Sequence, residues 1–144
     1  MEYKKFEKTI VARLNRGEEI LEQIKIIAEK ENIKLAQINA LGATDDFTVG
    51  VYDVAEKVYH KKDFSGAYEI VSLHGNISTM NNETYLHLHM SCGDKDGNVV
   101  GGHLNRCIIS ATCEMFIDII DGSIDRIKDE ETGLNIFKFT SILL

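Results

Sequence analysis

One strand-turn-strand stretch decides the fold and carries the candidate site: Tyr85-Leu-His-Leu-His-Met-Ser-Cys-Gly-Asp-Lys-Asp-Gly-Asn-Val-Val-Gly-Gly-His-Leu104. Its first part alternates polar and apolar side chains, which is the period-two pattern of a half-buried strand. The segment Lys95-Asp-Gly97 fits a three-residue hairpin loop in which the glycine takes the left-handed position of a bulge. The stretch therefore predicts two antiparallel strands paired about Asp96.

Three of the chain's five histidines fall in this stretch, at His87, His89 and His103. A His-x-His pair on a strand presents both imidazoles on the same face. The predicted hairpin places His89 opposite His103, and opposed β-carbons lie about 4.5–5.5 Å apart. Three imidazoles with no obvious carboxylate resemble the open ligand set of a catalytic zinc. The spacing alone leaves three alternatives open: a metal site, polar surface residues, or a metal-free acid/base cluster.

A fourth histidine, His74, is a weaker candidate ligand. If Asn81-Asn82 forms a two-residue type I′ turn, His74 faces His89 and joins a row of histidines across three strands. A three-residue loop would shift the register by one residue and place His74 on the other face of the sheet. The sequence leaves both registers open.

Two carboxylates are candidates for supporting these histidines. A metal-bound histidine usually donates its second ring N–H to a neighbouring acceptor, and Glu114 and Glu69 are candidates for that role. Glu114 lies in an apolar strand, so it is also the candidate catalytic acid or base. Its alternative is an exposed residue or a structural ion pair, since a buried charge must be paired.

The whole chain has the profile of one ordinary globular domain over residues 1–144, with 44% hydrophobic and 27% charged residues. It has no apolar run of the roughly 18–20 residues that a membrane helix needs, and its first residues lack the apolar core of a signal peptide. We therefore expect a cytoplasmic protein.

Three cysteines without a Cys-x-x-Cys pattern predict buried thiols. A net charge of −7 disfavours DNA binding through the general surface.

The pattern along the chain predicts an α+β fold, in which a mostly antiparallel sheet is flanked by one N-terminal helix. The helix is expected over Glu18–Lys30, where apolar residues recur at helical spacing, and Asn32 is expected to end it. From Tyr68 onward the pattern is almost entirely strand. The remaining predictions are strands over residues 3–14, 33–43, 47–60, 68–79, 84–92, 98–104, 107–120 and 135–140, with a polar loop at 61–66.

Several segments resemble the plants-and-prokaryotes-conserved (PPC) domain, which occurs beside AT-hooks in plant nuclear proteins and alone in prokaryotes. The resemblance covers nearly the whole chain and rests on Glu69–Gly75, His87–His89, Asp94–Leu104, Thr112–Ile117, Arg13–Ile20 and Ala40–Ala43. It implies a two-layer α/β domain with a mainly antiparallel sheet, assembled as a homotrimer. It also implies a metal, with zinc as the expected ion, held by His87, His89 and His103. Arg13 and Glu114 match the family pattern, whereas Arg106 stands where the family tends to have a small residue.

The resemblance favours a zinc-binding homotrimer that acts in regulation through protein partners. The alternative is a metal-dependent hydrolase or lyase that uses an open three-histidine site on a small substrate. In the plant proteins the AT-hook supplies the DNA contact. This chain has no Arg-Gly-Arg-Pro hook and no proline at all. Direct DNA binding is therefore not expected.

Overall fold

Four long antiparallel strands carry the fold, because alternating apolar residues recur over most of the chain. The computed structural model describes residues 1–139. One helix lies among them, α1 (Ile20–Lys30). The strands are β1 (Glu2–Phe6), β2 (Thr9–Asn15), β3 (Ala36–Asp53), β4 (Val58–Met80), β5 (Glu83–Gly93), β6 (Val99–Ile119), β7 (Asp125–Lys128) and β8 (Asn135–Lys138).

The four long strands close on one another. Strand β3 pairs with β4, β4 with β5, β5 with β6, and β6 again with β3, all antiparallel. Strands β1 and β2 extend the sheet beside β6, while β7 and β8 form a short ribbon beside β4. The predicted mostly antiparallel sheet with one N-terminal helix is confirmed. Because the strands close into a ring, a two-layer description fits only part of the chain.

The helix covers the core of this sheet with its apolar face. Its buried residues, Ile20, Ile24, Ile27 and Ala28, repeat at helical spacing. Asn32 follows the helix with a left-handed φ of 52°, so the predicted end of the helix is confirmed. No helix among residues 1–139 is long and apolar enough to cross a membrane.

Several predicted boundaries are wrong, and each error has a local cause. Residues 3–14 form two strands, because Glu7 adopts a left-handed φ of 51° and turns the chain without a glycine. Residues 61–66 lie inside β4, since they pair with β3 despite their polarity. Strand β6 runs unbroken from Val99 to Ile119, and β7 was not predicted. The predicted end of the last strand, at Thr140, lies outside the described residues.

The three cysteines are buried, as the sequence predicts, and this has a measurable consequence. Cys92, Cys107 and Cys113 have no exposed surface, and burial raises the pKa of each thiol to about 12. Only the thiolate is a good nucleophile. We expect dithiobis(nitrobenzoate) at pH 8 to label almost none of them in the folded protein. All three should react in guanidinium chloride, and rapid labelling without denaturant would contradict this.

Candidate metal centre

The hairpin that carries the histidines has the predicted register. His89 pairs with His103, and the loop closes through a hydrogen bond of 3.1 Å from the backbone N–H of Gly97 to the carbonyl oxygen of Asp94. Gly97 has a φ of 84°, the left-handed conformation that the bulge requires. The Asp94 carboxylate also accepts from the backbone N–H of Asn98 at 2.9 Å. A short, locally encoded turn therefore sets the spacing of the site.

The three histidines converge on one point. His87, His89 and His103 each offer one ring nitrogen, and these nitrogens all lie within 4.8 Å of one another. The Nε2 atoms of His87 and His89 are 3.3 Å apart. Two ligands at zinc–nitrogen distances of about 2.0–2.1 Å and a tetrahedral angle lie about 3.3 Å from each other. The spacing of His87 and His89 therefore fits a zinc-type ion, and nitrogens up to 4.8 Å apart would draw together on binding.

Burial keeps two of these imidazoles in the form that binds metal. Burial, together with the neighbouring His103, Arg126 and His89, lowers the pKa of His87 to about 4. Burial and His89 also lower the pKa of His103. Both rings are therefore neutral near pH 7, and a metal ligand must be deprotonated in this way.

His74 lies in the predicted row but outside the converging group. Asn81 and Asn82 both have positive φ, 54° and 65°, and the resulting two-residue turn pairs His74 with His89. The ring of His74 is exposed, and its Nδ1 lies 3.4 Å from Ser72 Oγ. It is not among the nitrogens that converge. A ligand role for His74 stays a prediction that this geometry does not support.

Neither candidate carboxylate is placed with the histidines. Glu114 is exposed and lies in register with Arg13, beyond the register shifts of β6 that separate it from His103. Glu69 is exposed and pairs with Gly93. Neither makes a hydrogen bond to a histidine within residues 1–139. Their supporting or catalytic roles, including that of Glu114 as acid or base, therefore have no support in the geometry.

A tyrosine that the sequence did not single out borders the site. The ring of Tyr59 meets the ring of His103 edge-on, with centroids 6.1 Å apart, and its hydroxyl donates to Asn105 Oδ1 at 2.7 Å. Gly50 pairs with His103, and a β-carbon on Gly50 would collide with the Tyr59 ring. The missing side chain of Gly50 therefore lets Tyr59 lie beside the histidines. Burial raises the pKa of Tyr59.

An arginine on the other side of the site was also missed. Arg126, on β7, is buried and donates through Nη2 to Asn76 Oδ1 at 3.0 Å. Asn76 is the residue opposite His87 on the neighbouring strand. The two-residue turn at Asn81-Asn82 sets the pairing of β4 with β5. The sequence could therefore have predicted that Asn76 lies opposite His87. No local pattern connects Arg126 with the histidines, because the ribbon reaches β4 through a single parallel bridge between Thr79 and Asp125.

Comparison with known proteins decides the family. Residues 1–121 match the Plants and Prokaryotes Conserved (PCC) domain. This chain belongs to that family. The resemblance noted in the sequence is thereby confirmed. A comparison with curated proteins gave no match.

Solved structures similar to this PCC-domain chain span nearly its whole length. A metal-containing protein from Archaeoglobus fulgidus is 35% identical, with a TM-score of 0.87, over 96% of this chain and 97% of that chain. A plant- and prokaryote-conserved protein from Pyrococcus horikoshii is 30% identical, with a TM-score of 0.83, over 98% and 96%. A candidate DNA-binding protein from Bacteroides thetaiotaomicron is 32% identical, with a TM-score of 0.93, over 96% of each chain.

Two arginines of this PCC-domain chain have partners that no sequence pattern predicted. Arg106 extends from β6 and pairs with Asp46 through two bonds of 2.7 and 2.6 Å. The guanidinium holds the pKa of Asp46 below its usual value. The ribbon that carries Arg126 follows the residues matched by the family, which end at 121. The similar solved structures nevertheless cover 96–98% of this chain, so their likeness extends into this ribbon.

Proposed function

We propose that this protein is a metal-binding regulatory module, with zinc held by His87, His89 and His103, and that it acts as a homotrimer through protein partners. One observation carries the proposal: three ring nitrogens lie within 4.8 Å of one another on a hairpin whose register holds them there. The similar protein from Archaeoglobus fulgidus is described as metal-containing. Two of the three rings are neutral near pH 7, which favours binding of a cation.

The trimer is proposed from the family and is supported by apolar residues on the outside of the sheet. Val71 and Val99 both flank Gly93 and are 58% and 60% exposed, and Phe116 is 49% exposed. Exposed apolar side chains on neighbouring strands are typical of surfaces that another chain covers. An association between copies would remove them from water.

A second candidate function is a metal-dependent hydrolase or lyase acting on a small molecule. It is favoured by the number of ligands, since a site with three protein ligands leaves a position open for water or substrate. A zinc ion there would act as a Lewis acid and lower the pKa of bound water to about 7. Hydrolysis of p-nitrophenyl acetate by the zinc-loaded protein, above that by a His103→Ala variant, would favour this function over a purely regulatory one.

Direct DNA binding is not part of the proposal, although a similar protein carries that description. The net charge is −7, and DNA affinity depends largely on neutralising phosphates with basic side chains. Fluorescence anisotropy with labelled duplex DNA at low salt is expected to show no binding. Salt-sensitive binding there would instead support a DNA-binding role.

The proposal is tested on protein purified without a histidine tag. Elemental analysis is expected to find one zinc per chain, and light scattering is expected to give about three times the chain mass of 16.2 kDa. A protein that contains no metal and takes up none from added zinc would overturn the metal site. A monomer at micromolar concentration would overturn the trimer.

A further inference from the structure

Arg126 is a buried charge whose partners are all uncharged. Its side chain is 5% exposed. Nε donates to Ser78 Oγ at 2.8 Å, Nη1 to the carbonyl oxygen of Asn135 at 2.7 Å, and Nη2 to Asn76 Oδ1 at 3.0 Å. No ion pair joins Arg126 to a carboxylate of residues 1–139. Buried arginines are normally paired, because a buried charge without compensation is costly.

The guanidinium is also held in a fixed plane. Its central carbon lies 4.6 Å from the ring centre of Tyr85 and 4.3 Å from that of Phe137. Arginine stacks on aromatic faces and keeps its N–H donors directed along its edges. Three hydrogen bonds and two aromatic rings therefore orient a group that flexes freely when it is exposed.

This guanidinium lies beside the histidines. Asn76, which accepts from it, is paired with His87, and Tyr85 precedes His87 by two residues on the same face of β5. The ribbon of β7 and β8 thus carries the arginine over the same face of the sheet that presents the three imidazoles.

The charge at this place points to an anionic ligand. A guanidinium has five N–H donors, and the three bonds above use one on each nitrogen, which leaves one on Nη1 and one on Nη2. Imidazole ligands carry no negative charge to offset that of a divalent ion, and the two candidate carboxylates lie elsewhere. A metal ion and a buried arginine together therefore form a strongly cationic site, and carboxylates and phosphates match the arginine fork.

We propose that Arg126 determines the specificity of the three-histidine site, and that the site takes a small molecule bearing an oxyanion, either a carboxylate or a phosphate group. This inference rests on the proposed metal site. It assigns to the ribbon of β7 and β8 the selection of the ligand, while the hairpin of β5 and β6 holds the ion.

The test measures anion affinity in zinc-loaded protein by calorimetry, with acetate and sulfate as separate probes. Arg126→Met is expected to weaken binding of the favoured anion about tenfold or more, because a charge-assisted hydrogen bond is lost. Arg126→Lys keeps the positive charge but lacks the planar guanidinium. It should therefore recover only part of the anion affinity that Arg126→Met loses. Arg13→Met is the matched control, since Arg13 is an exposed arginine on β2 that pairs with Glu2. Tighter acetate indicates a carboxylate ligand, and tighter sulfate a phosphate ligand.

A second measurement uses the unaltered protein, in case Arg126→Met loosens the ribbon. The Nε–H resonance of Arg126 is expected to shift when acetate or sulfate is added, but not with chloride at equal ionic strength. Zinc binding with no anion effect of Arg126→Met and no resonance shift would overturn this inference alone. Equal losses in Arg126→Met and Arg13→Met would also overturn it. A protein that binds no zinc would remove the proposed function and this inference together.

Discussion

Replacing His103 by alanine is expected to lower the affinity for zinc by at least about 100-fold. Loss of a group that merely supports a ligand already costs about 10–100-fold, and here a ligand itself is removed. Among residues 1–139 the converging group holds no fourth residue, so no neighbouring side chain replaces the nitrogen of His103. A competition titration against a chromophoric chelator at pH 7.5 measures the change.

The same variant should lose the stabilisation that zinc gives. A ligand present at 100 times its dissociation constant stabilises the folded state by about 2.7 kcal/mol. Thermal unfolding of the wild-type protein should therefore shift upward with added zinc, whereas the His103→Ala protein should gain at most about 0.4 kcal/mol at that concentration. An equal response in both proteins would show that zinc binds elsewhere.

His74→Ala is the matched control for this experiment. His74 is a histidine in the same row, paired with His89, but its ring is exposed and does not converge with the others. Its replacement is expected to leave zinc affinity within about threefold of the wild type. Even a residue that only supports a ligand costs about tenfold in metal affinity when it is lost, and His74 forms no hydrogen bond to a ligand ring. A loss as large as that of His103→Ala would instead make His74 a fourth ligand.

The histidine cluster could be predicted because short turns determine it. Lys95-Asp-Gly97 fixes one loop length, and Asn81-Asn82 fixes the next, where asparagine tolerates the positive φ that the turn needs. Once both turns are placed, side-chain alternation determines which residues share a face. The loop length alone therefore predicts that His89 lies opposite His103, and this prediction does not depend on how the strands curve.

The surroundings of the cluster could not be predicted in this way. The closing of β6 onto β3 involves three register shifts, and each one moves later residues relative to the partner strand. For this reason the place of Glu114 in an apolar strand did not predict its distance from the histidines. Arg126 reaches the site through one parallel bridge that no turn encodes. Contacts between distant segments depend on sheet curvature, and the local pattern carries no information about it.

Replacing Gly75 by alanine is expected to destabilise the protein by about 1–3 kcal/mol, the usual cost of forcing an added carbon into a packed region. Gly75 lies on β4 between Ile38 of β3 and Leu88 of β5. A β-carbon there would meet the carbonyl oxygen of His87 and would lie 2.7 Å from the Cα of Leu88. Both are backbone atoms, so β4 and β5 must move apart. Urea unfolding should show a lower midpoint with an unchanged slope.

That movement reaches the metal site, because the obstructing oxygen belongs to His87. A functional constellation needs its groups within about 0.5 Å of the productive geometry, so Gly75→Ala should also weaken zinc binding. Gly93→Ala is the control on the neighbouring strand, where an added carbon meets only the Val71 side chain at 3.2 Å. Only a side-chain methyl is met there rather than backbone, so Gly93→Ala should cost less stability and leave zinc affinity unchanged. Equal effects of the two substitutions would show that the close approach of β4 to His87 does not hold the site.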